Sequence, residues 1–563
     1  MSTVQLPMYE WNTIPWAKVE RAVFKLQKRI YQASCRGDTK TVHRLQRLLM
    51  TSWYACLLAV RRVTQDNQGK KTAGVDGVKN LTQPQRLTLT QKLHADPFNP
   101  KASPVRRVWI PKPGSTEKRP LGIPVMEQRA RQALVKLALE PEWEAKFEPN
   151  SYGFRPGRSA HDAIEAIFKC IHLQAKYVLD ADIAKCFDKI DHTALLAKLQ
   201  TFPRLRRVIG TWLKAGIMDG DRLFPSTEGV PQGGVVSPLL MNVALTGLET
   251  SVAQRFRRRE RNGSYRVPLV VRYADDLVAL DADEEVIHQV KEFIARWLQD
   301  LGLELKPSKT QITHTLNHYN NTVGFDFLGF EVRQYRVGKT RTAHNGKGQP
   351  LGFKTIIKPS KENIRRHKRT LAAFIDRHQQ ATQAVLIARL NPKIKGWANY
   401  YATVCSKKIL HSVDCWLYHK LWAWARRRHP NKGKRWRACK YWGFHLGRWI
   451  FEAGSQRLVK ASHTPIRRHI KVQGIRSPYD GDWLYWATRS GAHPEIPKRI
   501  AFLLKRQKGK CAFCGLYFRC EDLLEQDHIL PRSIGGTNSL SNLQLLHRHC
   551  HDRKTAQDNL MVS

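Results

Sequence analysis

Residues 270–280, VVRYADDLVAL, place two adjacent carboxylates, Asp275 and Asp276, in the middle of an otherwise apolar run. Neighbouring carboxylates repel each other, and burial adds to the cost of their charge. Because the flanking halves are typical of β-strands, the ADD tripeptide is expected at a turn that aims both side chains out of one end of a sheet. The pattern indicates that a positive charge is bound there.

A second acidic strand end occurs earlier, in VLDADIAKCFDKIDH at residues 178–192, where Asp182 follows an apolar strand. Phosphoryl transfer by two divalent metals needs carboxylates from separate chain segments, so that both ions can clamp the attacking and leaving oxygens. Asp182 together with Asp275 fits that need. From spacing alone, the alternative is that Asp182, Asp188 and Asp191 are solvated loop acids and that ADD is an ordinary turn.

The composition favours a large folded protein with a polyanionic partner. The chain has 563 residues, 42% of them hydrophobic and 16 of them Trp, enough for about three or four domains with their own cores. Its 95 Lys and Arg exceed 47 Asp and Glu and give a net charge of +48, which points to nucleic acid first and to a membrane surface second. The longest apolar stretch, residues 48–60, is too short to span a bilayer and predicts a core helix.

The N-terminus lacks the basic and apolar regions of a secretory or transit peptide, so the protein is expected to stay in the compartment where it is made. Seven of the 11 cysteines are scattered without a pairing pattern, which is typical of reduced cytosolic proteins. The other four, Cys511, Cys514, Cys520 and Cys550, crowd the C-terminal region. This contrast predicts a cytoplasmic protein that ends in a small metal-dependent module.

The residue pattern changes along the chain. Residues 1–65 repeat apolar positions three to four apart, which predicts helices, and residues 92–335 alternate strand-like runs with amphipathic helices. Residues 360–480 are helical in pattern and very basic, and Glu452 is the single acidic residue within 416–478. The chain is therefore expected to combine an α/β or α+β domain with a basic helical one.

The region from Arg119 to Phe330 contains a series of motifs besides YADD. They are, in chain order, RPLGIP, SYGFRPGRSAHDA, DIAKCFDKIDH, PQGGVVSPLLMN, LGLELKPSKT and FDFLGF. In this order they resemble the reverse transcriptases encoded by group II introns. AGVDGV resembles the N-terminal extension of that family, and LNPKIKGWANYY resembles its maturase or thumb domain. The resemblance extends over essentially the whole chain.

The resemblance implies a multidomain α+β fold with right-hand polymerase fingers and palm, a helical thumb or maturase domain, and a small ββα-metal HNH module with zinc. A bacterial cytoplasm or nucleoid is the implied location. The implied domains are an N-terminal helical extension (1–91), the fingers and palm (92–335), the thumb or maturase domain (336–469), a DNA-binding segment (470–504) and the HNH endonuclease with its zinc site (505–563).

The family's motifs imply roles in the polymerase site. Asp182, the Ile183 carbonyl and Asp275 are implied to hold two Mg²⁺ ions, with Asp276 supporting them. Phe187 resembles the aromatic gate that excludes a ribose 2′ hydroxyl and so favours dNTPs, and its alternative role is that of a core aromatic beside a strand. The residues implied to contact the nucleotide and the template are Lys112, Arg119, Gln232 and Gly233. For the Lys, the alternative is a solvated loop cation.

Residues 420–471 contain fifteen Lys and Arg against one Glu, interleaved with Trp and Tyr. Basic side chains contact phosphates and aromatic rings stack on unpaired bases, so this composition predicts RNA binding independently of the family. The alternative is a helical core with solvated basic faces. By resemblance the region clamps the primer–template duplex and grips the intron RNA to assist splicing. The candidate RNA contacts are Arg426, Arg427, Arg428, Lys432, Lys434 and Arg435.

The tail contains two ligand pairs, Cys511 with Cys514 and His547 with Cys550, at a spacing suited to tetrahedral Zn²⁺. Family members commonly use four Cys, so Cys520 competes with His547 for the fourth position. In an HNH endonuclease a His activates water while an acid and a second His hold one divalent ion, expected here to be Mg²⁺. The residues that resemble such a site are Asp527, His528, Asn542 and His551.

The sequence therefore predicts an RNA-directed DNA polymerase, an RNA maturase and a DNA endonuclease in one chain. Its expected partners are the group II intron RNA in a ribonucleoprotein, target DNA, dNTPs and a primer–template duplex, with no membrane. One alternative is an RNA-binding splicing factor with degenerate catalytic domains, against which the intact acidic and HNH residues argue. The other is a free-standing reverse transcriptase of defence or retron type, which the maturase region and the HNH tail disfavour.

Overall fold

The computed structural model describes residues 10–111, 118–259, 263–338, 340–445 and 447–562. Its first elements are α1 (Trp16–Cys35), α2 (Thr39–Met50), α3 (Trp53–Arg61) and α4 (Gln83–Ala95). The apolar stretch 48–60 ends α2 and forms α3, because the chain becomes extended at Ser52. The prediction of a single core helix is wrong in that respect: most of the stretch is buried, but in two helices, and Leu48 is exposed.

The next part of the chain, up to residue 359, mixes helices with short sheets. Within the described ranges no helix is both long and apolar enough to cross a bilayer. The elements are β1 (Val105–Pro111), β2 (Lys118–Ile123), α5 (Met126–Glu144), α6 (Ala160–Ile171), β3 (Tyr177–Asp182), α7 (Cys186–Lys189), α8 (His192–Leu199), α9 (Pro203–Leu213), β4 (Ile217–Asp219), β5 (Arg222–Phe224), α10 (Ser237–Leu245), α11 (Leu248–Arg255), β6 (Arg258–Arg259), β7 (Tyr265–Arg266), β8 (Leu269–Tyr273), β9 (Asp276–Asp281), α12 (Glu284–Gln299), β10 (Gln311–His314), β11 (Phe325–Phe327), β12 (Phe330–Arg336) and β13 (Phe353–Pro359).

Three sheets of three or more strands organise this region, and β6 and β7 form a separate two-stranded sheet. The central sheet is antiparallel with strand order β10-β3-β9-β8, and helices α6 and α12 pack against it. A second sheet has the order β2-β1-β4-β5, and a third has the order β11-β12-β13. Apolar residues at three- and four-residue spacing on α12 fix its packing, since this spacing places them on one helical face. The buried residues of that face are Val286, Ile287, Val290, Ile294 and Leu298.

A bundle of basic helices follows the third sheet, and we call residues 361–457 the basic bundle. Its core combines leucines with isoleucines and aromatic residues, and the leucines include Leu371, Leu386, Leu390, Leu417 and Leu421. β12 runs across residues 335 and 336, so the third sheet spans the boundary expected there. The elements of the bundle are α13 (Lys361–Arg377), α14 (Gln383–Tyr400), α15 (Lys407–Arg428), α16 (Lys434–Tyr441), β14 (Trp442–His445), β15 (Arg448–Ala453) and β16 (Gln456–Arg457).

Residues 464–496, which we call the strap, return from the basic bundle to the first helices. Tyr479 is buried with Phe24 and Tyr31 of α1, and its hydroxyl donates to Oε2 of Glu140 at 3.0 Å. Lys28 of α1 forms an ion pair with Glu495. Tyr479 and Glu495, which lie in the segment expected to bind DNA, therefore contact other parts of the protein.

The C-terminal elements are α17 (Trp483–Ser490), α18 (Lys498–Arg506), β17 (Leu524–His528), β18 (Leu543–His547) and α19 (Arg548–Val562). Ala487 of α17 and Leu504 of α18 share one apolar core with Leu543 and Leu546 of β18. The unit that folds together at the C-terminus therefore begins before residue 505. A segment of fewer than about 60 residues rarely supplies a sufficient core alone, which explains this sharing.

One buried carboxylate joins the strap to the central domain. Asp162, in the first turn of α6, is fully buried and accepts hydrogen bonds from Nε2 of His469 (3.0 Å), the N–H of Val472 (2.8 Å) and Nη2 of Arg489 (2.6 Å). Burial opposes its charge, but His469, Arg489 and the Val472 N–H hold the pKa of Asp162 well below its usual range. Three points of the chain therefore converge on one charge.

The convergence predicts that Asp162→Ala destabilises the protein strongly. Removing one partner of a buried ion pair costs about 3–5 kcal/mol, since the other charge is left uncompensated. The lowered pKa means that this stabilisation is complete above the unfolded-state pKa of about 3.9 and is lost only as the pH falls through the folded-state value. Urea unfolding at neutral pH measures the change. Asp38→Ala, at the exposed N-cap of α2, is the control, and an equal loss in both variants would contradict the prediction.

Candidate active sites

The two acidic strand ends predicted from the sequence lie side by side. β3 and β9 are neighbours, and their register pairs Asp182 with Asp276. Between β8 and β9 the chain turns through Ala274, whose φ is 61°, and Asp275. The Ile183 N–H donates to the Asp275 carbonyl at 3.1 Å and ties the two strand ends together. Three carboxylates from two segments therefore meet at one end of the central sheet.

Burial and the crowding of like charges disfavour the ionised forms of Asp275 and Asp276. Burial, together with the charges of Asp275 and Asp182, raises the pKa of Asp276 to about 7. Burial and the Asp182 charge also raise the pKa of Asp275. Lys309 offsets part of this charge, because its Nζ lies 2.6 Å from Oδ2 of Asp182. All of the available ligand atoms are oxygens, and their negative charge favours bound cations. The site therefore suits hard divalent metals.

A cavity of about 340 Å³ adjoins the carboxylates. Asp180 lies in it, and burial raises the pKa of Asp180 to about 6. The period of two along a strand places Asp180 on the same face as Asp182, and this signal could have identified it. Lys309 gave no such signal, since the pairing of β10 with β3 is not visible in motif spacing. The charged and polar residues that line the cavity include Asp180, Asp182, Asp276, Lys309, Gln311 and Asp326.

A buried arginine holds the turn that carries Asp275. Arg272 is 3% exposed, and its Nη1 donates to the Ala274 carbonyl at 3.2 Å and to Oδ1 of Asn242 at 3.0 Å. Asn242 in turn donates to the Gly153 carbonyl at 2.8 Å. A Cβ at Gly153 would lie 2.4 Å from the Ala274 nitrogen. Two contacts therefore fix the turn. One is the Arg272 guanidinium, and the other is the backbone at Gly153, whose close approach only glycine allows.

The PQGG loop lies against the strand of the RPLGIP motif. The Gly122 N–H donates to the Gln232 carbonyl at 2.7 Å. Gly233 has a φ of 123°, and a Cβ there would lie 2.7 Å from the Gly122 carbonyl oxygen, so this close approach requires glycine. The Val230 N–H donates to the Phe187 carbonyl at 2.5 Å and links the loop to α7. The structure thus brings three of the expected nucleotide-contacting residues to one region.

The remaining expected nucleotide contacts are less complete. Arg119 is exposed on β2, near enough that its charge favours the ionised form of Asp275. Lys112 lies outside the described residues. Phe187 is half-buried, packs against the main core and meets Phe154 edge-on with ring centroids 6.4 Å apart. Phe187 therefore has core contacts and also lies beside the PQGG loop, through the bond from the Val230 N–H.

The C-terminal region holds a compact group of metal-ligating side chains. The ligand atoms of Cys511, Cys514, His547 and Cys550 all lie within 4.8 Å of one another. Nδ1 of His547 faces the thiols, 3.4 Å from the Cys514 sulfur and 4.0 Å from the Cys550 sulfur. Cys520 is exposed and outside the group. The geometry therefore favours His547 over Cys520 as the fourth ligand of a metal ion.

Asp522 supports this group from the outside, and motif spacing does not identify it. Its Oδ2 lies 3.3 Å from Nε2 of His547. A carboxylate on the second ring nitrogen fixes the tautomer and orientation of a metal-ligating histidine. Nδ1 of His547 is thereby kept available for a metal ion.

β17, β18 and α19 form a ββα unit that carries the HNH residues. Nε2 of His528 lies 2.8 Å from Oδ1 of Asn538. Oδ2 of Asp527 accepts from Gln544 at 2.8 Å and lies 3.2 Å from Nζ of Lys554. Lys554 is a further residue that the motif did not reveal. Its ammonium neutralises Asp527 in this structure.

Asn542 and His551 complete the unit in different ways. The Asn542 side chain accepts from the Leu530 N–H at 2.9 Å and donates to the carbonyls of Leu530 and Thr537, so it clamps the loop after β17. Nδ1 of His551 is buried and has no hydrogen-bond partner within the described part of the chain. Oδ1 of Asp552 lies 3.6 Å away from it. A buried nitrogen of this kind suits a metal ligand.

Comparison with known families matches these regions in the order found. Residues 110–332 match the family described as reverse transcriptase (RNA-dependent DNA polymerase), and residues 11–93 match the N-terminal domain of reverse transcriptase. Residues 364–442 match the group II intron maturase-specific domain. Residues 511–557 match the HNH endonuclease family.

Curated relatives agree. Protein YkfC of Escherichia coli K12 is 30% identical over 356 residues, which cover 57% of this chain and 91% of that protein. The chain belongs to the group II intron reverse transcriptase family. Group II intron-encoded protein LtrA of Lactococcus lactis is 27% identical over 408 residues, 60% of this chain and 66% of LtrA. Maturase-like protein 1 of Euglena gracilis is 27% identical over 400 residues, 69% of this chain and 76% of that protein.

This group II intron reverse transcriptase carries reverse transcriptase, maturase and HNH endonuclease domains in one chain, which confirms the predicted combination. The matches to the maturase and HNH families argue against a free-standing reverse transcriptase of defence or retron type. The converging carboxylates argue against a splicing factor with a degenerate polymerase domain.

In the group II intron reverse transcriptase, the basic side chains expected to contact RNA differ in their exposure and in their contacts with the rest of the protein. Arg428 is engaged internally: its Nη1 donates to the carbonyls of Gln379 and Ala381, and its guanidinium lies over the Trp424 ring. Arg427 lies 3.4 Å from Oδ1 of Asp376. The four others are exposed, and they are Arg426, Lys432, Lys434 and Arg435.

The grip on the YADD turn predicts that Gly153→Ala impairs DNA synthesis. The added Cβ would push the Ala274 backbone and displace Asp275, and a shift of about 1 Å in a catalytic group can cost about 100-fold in rate. Primer extension by the folded variant measures the loss. Gly210→Ala is the control, because a Cβ there meets only Leu196 at 3.8 Å. A wild-type rate for Gly153→Ala would contradict the prediction.

Proposed function

We propose that Asp182, the Ile183 carbonyl and Asp275 hold two Mg²⁺ ions for RNA-directed DNA synthesis, with Asp276 supporting them. The observation that carries the proposal is the convergence of three carboxylates where β3 ends and β9 begins. The raised pKa values of Asp275 and Asp276 support a need for cations at this point. When bound, such ions activate the primer 3′ hydroxyl and neutralise the triphosphate.

The chain's own residues then position the substrates. Arg119 contacts the triphosphate of the incoming dNTP, together with Lys112, since guanidinium and ammonium groups pair with phosphate oxygens. Gln232 and Gly233 line the nucleotide and template side, where glycine lets the backbone approach closely. Phe187 blocks the space of a ribose 2′ hydroxyl and so selects dNTPs.

For the metal ligands, we expect Asp275→Asn to abolish cDNA synthesis with little loss of RNA affinity. The substitution removes a metal-binding charge but no phosphate contact. Primer extension and intron RNA affinity, measured on the same preparation, test both parts. Asp300→Asn, an exposed carboxylate at the end of α12, is the control. Extension at the wild-type rate by Asp275→Asn would rule out the two-metal assignment.

For the gate, Phe187→Ala should raise incorporation of ribonucleotides relative to deoxyribonucleotides while the metal ligands stay in place. Phe187→Tyr keeps the ring and should keep the wild-type ratio. The ratio of rNTP to dNTP incorporation in primer extension is the measurement. An unchanged ratio in an Ala variant that still polymerises would return Phe187 to a purely structural role.

The basic bundle acts as the polymerase thumb and as the RNA-binding surface of the maturase. Arg426, Lys432, Lys434 and Arg435 contact phosphates of the intron RNA, a role that their exposure supports. Arg428 contributes by holding the end of α15 in place. Replacing one phosphate-binding side chain by Ala should reduce the slope of log affinity against log salt by about 0.7–0.9.

The C-terminal unit is a zinc-stabilised DNA endonuclease. Cys511, Cys514, His547 and Cys550 hold the zinc ion, as the mutual proximity of their ligand atoms supports. His528 is the general base that takes a proton from the attacking water. Asp527 and His551 hold the catalytic divalent ion, expected to be Mg²⁺, and Asn542 orients the loop beside them. The buried, unsatisfied Nδ1 of His551 supports this assignment.

These activities fit one sequence of events on DNA. The intron RNA inserts into one strand by reverse splicing, the nuclease nicks the other strand, and the polymerase extends the new 3′ end on the RNA. The full-length ribonucleoprotein with a target duplex and dNTPs tests this order. Second-strand nicking that precedes extension is the expected result, and extension without the nick would contradict it.

For the nuclease, His528→Ala should stop nicking of the second strand with zinc still bound, whereas Cys514→Ser should lose both zinc and nicking. Cys520→Ser should change neither, because Cys520 lies outside the ligand group. Zinc analysis of the purified variants and a strand-specific nicking assay measure these effects. Stoichiometric zinc in Cys514→Ser, or wild-type nicking by His528→Ala, would overturn the site assignment.

A further inference from the structure

The hairpin formed by β14 and β15 carries a row of aromatic rings on one face. Its register pairs Trp442 with Phe451 and Phe444 with Trp449. Residues two apart on a strand point to the same face, so the two pairs lie in one row. The inner pair is buried in the core of the basic bundle, where the Phe451 ring lies 5.2 Å from that of Trp442 and 6.0 Å from that of Trp424.

The outer pair extends beyond that core. Phe444 is 61% exposed and Trp449 is 44% exposed. Their ring centroids are 5.3 Å apart and the rings meet at 59°, so neither ring covers the other. A cross-strand aromatic pair stabilises a hairpin, but that role would be served as well with the rings buried. Adjacent exposed rings at the end of a buried row are typical of a binding surface.

The net positive charge of the sequence around the hairpin favours a negatively charged ligand. The hairpin's single acidic residue, Glu452, lies on the opposite face from the aromatic row. There it is 2.7 Å from Nε2 of His445 and 3.0 Å from Nε of Arg457. The hydrogen bond from His445 and the charge of Arg457 hold the pKa of Glu452 below its usual range. Residues 420–471 carry fifteen Lys and Arg against this single Glu, so the segment that contains the hairpin has a large net positive charge.

We propose that the Phe444–Trp449 pair is a stacking site for unpaired bases of the intron RNA, an inference that rests on the proposed RNA-binding role of the basic bundle. Aromatic rings in a basic surface bind single strands because every base has a π-face and every linkage has a negative charge. Bases inside a duplex are already stacked and cannot use the pair. The site therefore distinguishes loops and bulges from helices, which phosphate contacts alone do not.

The experiment uses the full chain and two double variants. Phe444→Leu with Trp449→Leu keeps an apolar cross-strand pair but removes the π-faces. Phe444→Tyr with Trp449→Phe keeps the rings and is the matched control. The probes are an unstructured single-stranded RNA that contains 2-aminopurine and a fully paired RNA of the same length. Affinity and quenching of the 2-aminopurine fluorescence are measured for each.

The leucine variant should bind the single strand about 5- to 150-fold more weakly, the range expected for losing one stacked base. It should lose the quenching and bind the duplex like the wild type. The ring-keeping control should match the wild type on both probes. No loss on the single strand, an equal loss on both RNAs, or a loss in the control overturns the stacking site. The stacking site is also overturned if the wild type and the ring-keeping control bind anionic phospholipid vesicles and the leucine variant does not.

Failure of the underlying RNA-binding role gives a different result. In that case the wild type would bind the intron RNA without salt dependence, and replacing Arg426, Lys434 and Arg435 by Ala would change nothing. A wild type that binds RNA with the expected salt slope, next to a leucine variant with unchanged single-strand affinity, overturns the stacking site alone.

Discussion

Mutual repulsion between carboxylates is the constraint around which the central domain is built. Asp182, Asp275 and Asp276 meet at one end of a sheet, although burial and like charge both raise the pKa of Asp275 and of Asp276. The strand register sets their positions, and the buried Arg272 holds the turn by its bonds to the Ala274 carbonyl and to Asn242. A guanidinium suits this task because it stays charged when buried and bonds several acceptors at fixed angles.

The same constraint explains why distant motifs of the sequence belong together. Gly153 is part of SYGFRPGRSAHDA and Asn242 is part of PQGGVVSPLLMN, and both contact the YADD turn or its support. Each motif carries residues whose shape or hydrogen-bonding capacity the turn requires. Ordered motifs therefore mark the shell that holds the carboxylates as well as the carboxylates themselves.

Sequence reasoning reached the acidic strand ends, the metal-ligand pairs and the basic region, because each has a local signature in spacing or composition. It did not reach Lys309 or Asp522, which become relevant only through strand pairing and through packing around His547. It also assigned Arg428 to RNA, whereas the structure uses this side chain to cap neighbouring backbone. The sequence shows which residues are charged, but tertiary contacts decide which partner each charged side chain binds.

The strap has a geometric consequence. Asp162 of the central domain bonds Arg489 of α17, and Ala487 on the same helix lies in the core of the C-terminal unit. Because the strap is packed at both ends, unlike a flexible linker, the protein itself fixes the distance between the YADD carboxylates and the HNH residues. Along duplex DNA each base pair advances about 3.4 Å, so a fixed separation corresponds to a fixed number of base pairs. In the sequence of events proposed above, this separation would set the spacing, in base pairs, between the sites of action on the two strands.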